Sequence, residues 1–143
     1  ARPMPASWMQ RQAGAVHERA KQADIVITTA LIPGRKAPTL LHAATVEEMK
    51  PGSVIIDLAA AQGGNCPLTE ADQVVVKHGV TIVGHTNLAA LVPADASALY
   101  ARNLLDFLKL VIDAEGKFHL NLEDDIVAAC LMCRGGDVVR KNG

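Results

Sequence analysis

Two runs of strand-forming residues constrain the fold most: Asp24-Ile25-Val26-Ile27-Thr28-Thr29 and Ser53-Val54-Ile55-Ile56-Asp57-Leu58-Ala59. Neither alternates apolar with polar. A strand with one solvated face alternates, whereas a strand of a parallel sheet covered on both faces reads as a continuous apolar run. Parallel neighbours also need a crossover, and residues 42–49 predict a short helix between the runs, stopped by Pro51-Gly52. Val74-Val75-Val76 and Val80-Thr81-Ile82-Val83-Gly84 flank His78-Gly79, which reads as a turn joining two strands.

Helical patterns bracket these strands. Residues 1–6 read as loop because of Pro3 and Pro5, and Ser7 is the expected N-cap of a helix running to about Gln22. Trp8, Gln12, Val16 and Ala20 repeat on one face of it. The longest helical pattern runs from Pro93 to about Ile112, with Leu99, Leu104, Leu105, Leu108 and Ile112 as its apolar set. Beyond it, residues 117–139 hold two alternating stretches separated by Arg134-Gly135-Gly136-Asp137, the spacing of a hairpin. The expected class is α/β: residues 1–92 form the second half of a doubly wound parallel sheet. Residues 93–143 supply a linking helix and a C-terminal segment belonging to a second α/β lobe.

Composition narrows the partners. Half of the 143 residues are hydrophobic and 20% are charged, a globular balance. With a formal net charge of -1 and no Lys/Arg cluster, nucleic acid is not an expected partner. The longest apolar stretch, residues 52–61, is broken by Asp57 and falls short of the about 20 residues a membrane helix needs. Three cysteines are an odd count. Cys130 and Cys133 have C-x-x-C spacing, but no second pair or His cluster completes a zinc site. The favoured reading places them in the apolar run 126–133, where alternation sends them to opposite faces, in a reducing compartment. The opening Ala1-Arg2-Pro3-Met4-Pro5 lacks an initiator Met, and the sequence reads as starting mid-protein.

Ligands of open α/β sheets collect beyond the carboxyl ends of the strands. Three loops qualify: Thr29 to Gly34, Asp57 to Asn65, and His85 to Leu88. All are rich in small residues, which let backbone approach a flat ring closely. Asn87 offers both a donor and an acceptor, as a carboxamide requires. Asp57 is either a catalytic carboxylate or a loop-organising acceptor, with the second favoured. His85 is either an acid–base group or a backbone anchor. His17, His42, His78 and His119 read as surface residues, and Asp95 and Ser97 as caps of the long helix. No G-x-G-x-x-G is present, so residues alone imply half of a nucleotide site without its pyrophosphate cradle.

At these same loops the chain resembles domain I, the NAD(H)-binding α subunit, of proton-translocating NAD(P) transhydrogenase. The run from Asp24 through Leu31-Ile32-Pro33-Gly34 to Pro38 carries the resemblance, as does Met49 through Gln62-Gly63-Gly64-Asn65-Cys66. Lys77 to Leu88 continues it in register, and it extends through Asp95-Ala96-Ser97 and Asn103-Leu104-Leu105 to Leu122-Glu123-Asp124. Alanine dehydrogenase is a relative of that family with a catalytic Asp just before Gln-Gly-Gly; here the position is Ala61.

The resemblance implies a Rossmann-type fold and a C-terminal fragment whose parent passes hydride from NADH to NADP⁺, coupled to proton translocation. It implies NAD(H) as cofactor, with NADP(H) on a partner domain. Gln12 matches a glutamine of the NAD site just after a mobile loop, Leu31 matches a residue packing on the cofactor, and Asn87 and Leu88 match the loop near the nicotinamide. Thr29, Ala30, Gln62 and Gly63 fall at the same site, and no catalytic acid or base is expected. Implied partners are a second copy of domain I, the NADP(H)-binding domain and a membrane proton-channel domain. The implied place is a soluble domain peripheral to the bacterial inner membrane, on its cytoplasmic side, or on the matrix side in mitochondria. An amino-acid dehydrogenase of the alanine type, or a non-catalytic nucleotide-binding fragment, are the alternatives.

Overall fold

The computed structural model describes residues 4–32 and 34–140; the expected loop at residues 1–3 and the strand stop at Pro33 lie outside them. The chain forms two compact units, residues 1–91 and 92–143.

The first unit opens with helix α1 (Ala6–Ala20). It starts one residue before the expected Ser7 cap. Pro5 takes the cap position at φ -56° and ψ 148°, with no side-chain cap, and its carbonyl accepts from the N–H groups of Trp8 (2.9 Å) and Met9 (3.1 Å). A proline has no N–H to lose there, so it starts the helix without a hydroxyl's help. Strand β1 (Ile25–Thr28) follows, then α2 (Ala43–Glu47) and β2 (Val54–Asp57). β3 (Val74–Lys77) and β4 (Val80–Val83) form a hairpin turning at His78, which takes φ +55°, and Gly79. Positive φ at both turn residues matches the twist of antiparallel strands.

The sheet order is β1-β2-β4-β3, with β1, β2 and β4 parallel and β3 antiparallel at the edge. An α/β unit built on parallel strands is therefore present, as expected.

Its core lies on one face. Ile55, Val80 and Ile82 pack with Ala20 of α1, with Leu41, with Val46 and Met49 of the α2 region, and with Cys66. Val26 and Val75 extend this layer. The expectation of cover on both faces fails. Ile25 and Ile27 on β1 are 64% and 59% exposed, and Val74 and Val76 on β3 are also exposed. An unbroken apolar run specifies a strand fit for burial on both sides; what lies over the second side is not local information.

His17 corrects the surface reading of the scattered histidines. Its Nδ1 lies 2.9 Å from the Thr45 hydroxyl and its Nε2 3.6 Å from Glu48, joining α1 to α2.

The second unit begins with α3 (Pro93–Val111), where Pro93 occupies the first turn and Asp95 faces the N-terminal dipole. No side chain caps it, so neither Asp95 nor Ser97 is the expected cap. The tail holds α4 (Asp125–Cys130), β5 (Cys133–Arg134) and β6 (Asp137–Val138). The hairpin turns at Gly135-Gly136, as its spacing implied, but residues 125–130 of the stretch before it are helical. Asp124 decides this, because its carboxylate accepts from the N–H groups of Ile126 (2.9 Å) and Val127 (3.0 Å) and starts a helix. Cys130 ends that helix and Cys133 lies in β5. Both are exposed, against the expected alternation.

Candidate functional site

Parallel registry places the strand ends side by side. Thr28 pairs with Asp57 and Ile56 with Val83, so the loops after β1, β2 and β4 leave the same edge. The three loops selected from the sequence thus share one rim.

Asp57 organises two of them. It is fully buried, and its carboxylate accepts from five donors. One oxygen takes the Ala59 N–H (3.0 Å) and the Thr28 hydroxyl (3.3 Å). The other takes the N–H groups of Asn65 (2.8 Å) and Cys66 (3.2 Å) and the Thr69 hydroxyl (2.7 Å). A carboxylate so occupied has no free lone pair for a substrate proton, which makes Asp57 a loop anchor and not a base. Gly64 permits the packing: at φ +74°, a Cβ there would sit 2.7 Å from the Asp57 carboxylate. Beside it, burial pushes the Cys66 thiol up from its ordinary value of 9.0.

The loops after β1 and β2 are stitched together by amides. The side chain of buried Asn65 accepts from the Ala30 N–H (3.1 Å) and donates to the carbonyls of Ala30 (2.9 Å) and Pro38 (2.8 Å). Gln62, with its amide nitrogen turned toward the neighbouring loop, donates to the carbonyls of Ile32 (3.0 Å) and Arg35 (2.9 Å). Its main-chain oxygen accepts from the Ala37 N–H (2.8 Å). Gly63, at φ +88°, lies under the aliphatic stem of Lys36. Leu31 and Ile32, 46% and 45% exposed, point apolar side chains outward between the stitched positions.

The loop after β4 is held separately. Asp72 accepts from the Thr86 N–H (3.0 Å) and from the Thr86 hydroxyl, and these bonds hold its carboxyl below the ordinary 3.8. Gly84 admits this crossing, since a Cβ there would lie 2.2 Å from the Glu70 carbonyl oxygen. Asn87 is exposed and its Oδ1 accepts from the Ala90 N–H (3.2 Å), starting a 3-10 turn over Leu88–Leu91. His85 makes no hydrogen bond among the described residues, so it does not act as a backbone anchor.

A cleft of about 660 Å³ lies between α1 and β1, lined by Gln12, Val16, Ala20, Thr29, Ala30 and Leu41 among others. It brings Gln12 to Thr29 and Ala30. Leu31, Gln62 and Gly63 belong to the stitched pair of loops beside it, and Asn87 and Leu88 to the third loop. Sequence reasoning passed over Asn65 and Thr69. Two glycines followed by an amide after a strand ending in Asp was the available signal, but their partners lie 8 to 35 residues away.

The alanine dehydrogenase/PNT C-terminal domain family matches residues 4–141. The chain is 51% identical over 140 residues to the first part of NAD(P) transhydrogenase subunit alpha of Rhodospirillum rubrum, covering 97% of this chain and 36% of that protein. Alanine dehydrogenase 1 of Staphylococcus aureus is 38% identical over 100 residues, 67% of this chain and 27% of the relative. Among solved structures, the transhydrogenase of Sinorhizobium meliloti superimposes with a TM-score of 0.76 at 45% identity, covering 96% of this chain and 38% of that one. The chain thus spans just over a third of the length of these transhydrogenase relatives. The resemblance read from the strand-end loops is borne out, and the chain belongs to the alanine dehydrogenase/PNT C-terminal domain family.

Proposed function

We propose that this chain is the nicotinamide-facing part of an NAD(H)-binding domain I, in a transhydrogenase that moves hydride from NADH to NADP⁺ with coupled proton translocation. One observation carries the choice over an amino-acid dehydrogenase: apart from the buried and occupied Asp57, the three loops hold no carboxylate. Residues 29–41, 58–65 and 84–91 contain neither Asp nor Glu, Ala61 stands before Gln62-Gly63-Gly64, and Asp57 is occupied by five donors. Taking a proton from an amino-acid substrate needs a positioned base. Exchange of hydride between two nicotinamide rings needs none, and its rate comes from holding the rings close in a dry site.

The residues fit that task. Leu31 and Ile32 offer an outward apolar surface for a ring, Ala30 and Gly63 let backbone approach it, and Asn87 offers an amide. Thr29, Gln62 and Leu88 complete the rim, and Gln12 stands in the neighbouring cleft. The ring supplies the hydride-carrying carbon; these side chains orient it and exclude water. NADP(H) belongs to a partner domain, a second copy of domain I is the other soluble partner, and a membrane proton-channel domain completes the parent. On the same reading the domain lies peripheral to the membrane, on the cytoplasmic or matrix side; no described helix is long and apolar enough to cross a membrane.

The test is hydride exchange by the full-length natural protein mixed with its NADP(H)-binding partner, followed as NADH-dependent reduction of an NADP⁺ analogue. Alanine-dependent NADH formation without that partner would replace this reading with the dehydrogenase one. The isolated 143-residue chain is expected to bind NADH poorly, because it lacks a glycine-rich phosphate turn. Micromolar affinity in calorimetry would contradict that.

A further inference from the structure

We infer that Gln62 and Asn65 are positioning residues, two amides that clamp the loop after β1 on either side of Leu31 and so set how Leu31 meets its ligand. This rests on the nicotinamide reading above. Asn65 grips the loop just before Leu31, at both the N–H and the C=O of Ala30. Gln62 grips it just after, at the carbonyls of Ile32 and Arg35. Their main chains add to the hold. The Asn65 carbonyl accepts from Leu40 (2.8 Å) and Leu41 (3.1 Å), and that of Gln62 accepts from Ala37.

Each contact asks for an amide. Asn65 must accept from one group and donate to two, which a carboxylate of the same shape cannot do. Gln62 must donate to two carbonyls, which a glutamate would repel. The clamp also has a firm base, because Asn65 is fully buried and its own N–H is held by Asp57. Gln62 therefore acts through the loop, its amide nitrogen already committed, while Leu31 stays 46% exposed between the two grips. Loosening either grip frees the backbone on one side of Leu31, leaving the sheet beneath untouched.

Arg35 and Lys36 lie in this loop and make it a substrate for trypsin, which provides a reading independent of any nucleotide. The experiment compares Gln62→Ala and Asn65→Ser with the wild type in the full-length natural protein, measuring tryptic cleavage after Arg35 and Lys36, thermal unfolding, and NADH-dependent hydride transfer. Gln62→Ala is expected to speed cleavage at these two sites alone and to raise the KM for NADH about tenfold with kcat within about twofold. Asn65→Ser should act in the same direction; if it fails to fold, Gln62, which is half-buried, still decides. Unchanged cleavage in Gln62→Ala overturns the clamp. Faster cleavage with unchanged KM and kcat overturns the positioning role and leaves a merely structural one. A wild type without hydride transfer overturns the transhydrogenase reading instead, while the cleavage comparison still decides whether the amides hold the loop.

Discussion

The chemistry of single residues here is mostly that of satisfied polar groups. Asp57 ends an apolar strand and would be costly there without partners, and its five donors remove that cost. Asp57→Asn keeps the shape but turns a donor toward other donors. It is expected to destabilise the first unit by about 2–4 kcal/mol, seen as an earlier urea transition; an unchanged midpoint would contradict the anchoring role. Cys66 gives a second prediction. Its folded value is raised above 9.0, so the stability it contributes is complete below pH 9 and is lost as pH rises through the folded value. Native protein treated with iodoacetamide near neutral pH should take two labels, at exposed Cys130 and Cys133, and a third only on unfolding, counted by mass spectrometry. The place of Asp57 in the sequence favoured an anchor over a catalytic carboxylate without deciding between them. Its donors could not be read there, because Thr28 and Thr69 become neighbours only when β1, β2 and the following loop close together.

At the scale of elements, periodicity located the helices and strands of the first unit and capping decided where readings went astray. Ser7 has the residue type of a cap, yet the main chain of Pro5 starts α1. Conversely, residues 126–130 have a strand-like apolar composition, yet Asp124 satisfies two N–H groups and the segment winds into α4. Short apolar runs are ambiguous between the two periods, so a single capping side chain can choose. Asp124→Ala should therefore cost about 1 kcal/mol and lower the helical signal in circular dichroism. An unaltered spectrum and melt would show that α4 owes its form to other contacts.

At the scale of the whole molecule, the first unit is a sheet with one face packed and the other largely open. Ile25, Ile27, Val74 and Val76 all belong to the open face, set there by the register of β1 and β3 against their neighbours. Exposed apolar side chains on one sheet face favour association, and β1 lies at the edge of the sheet among the described residues. The 143-residue chain by itself is expected to self-associate with concentration in sedimentation velocity, and Ile25→Lys with Ile27→Lys should suppress it. A monomeric profile across the concentration range would mean that this face tolerates water.

The sequence alone determined the kinds and order of the elements in the first unit, and through the parallel-strand rule which three loops share a rim. It also determined what those loops lack: beyond Asp57, at the strand end, they carry no Asp or Glu, whatever the fold. Such properties are local, written in residue type and period. The tertiary structure decided which sheet face is covered, that Asp57 is fully occupied, and that Gln62 and Asn65 spend their amides on the loop bearing Leu31. Those depend on hydrogen bonds spanning up to 35 residues, and only closure of the chain brings such partners within reach.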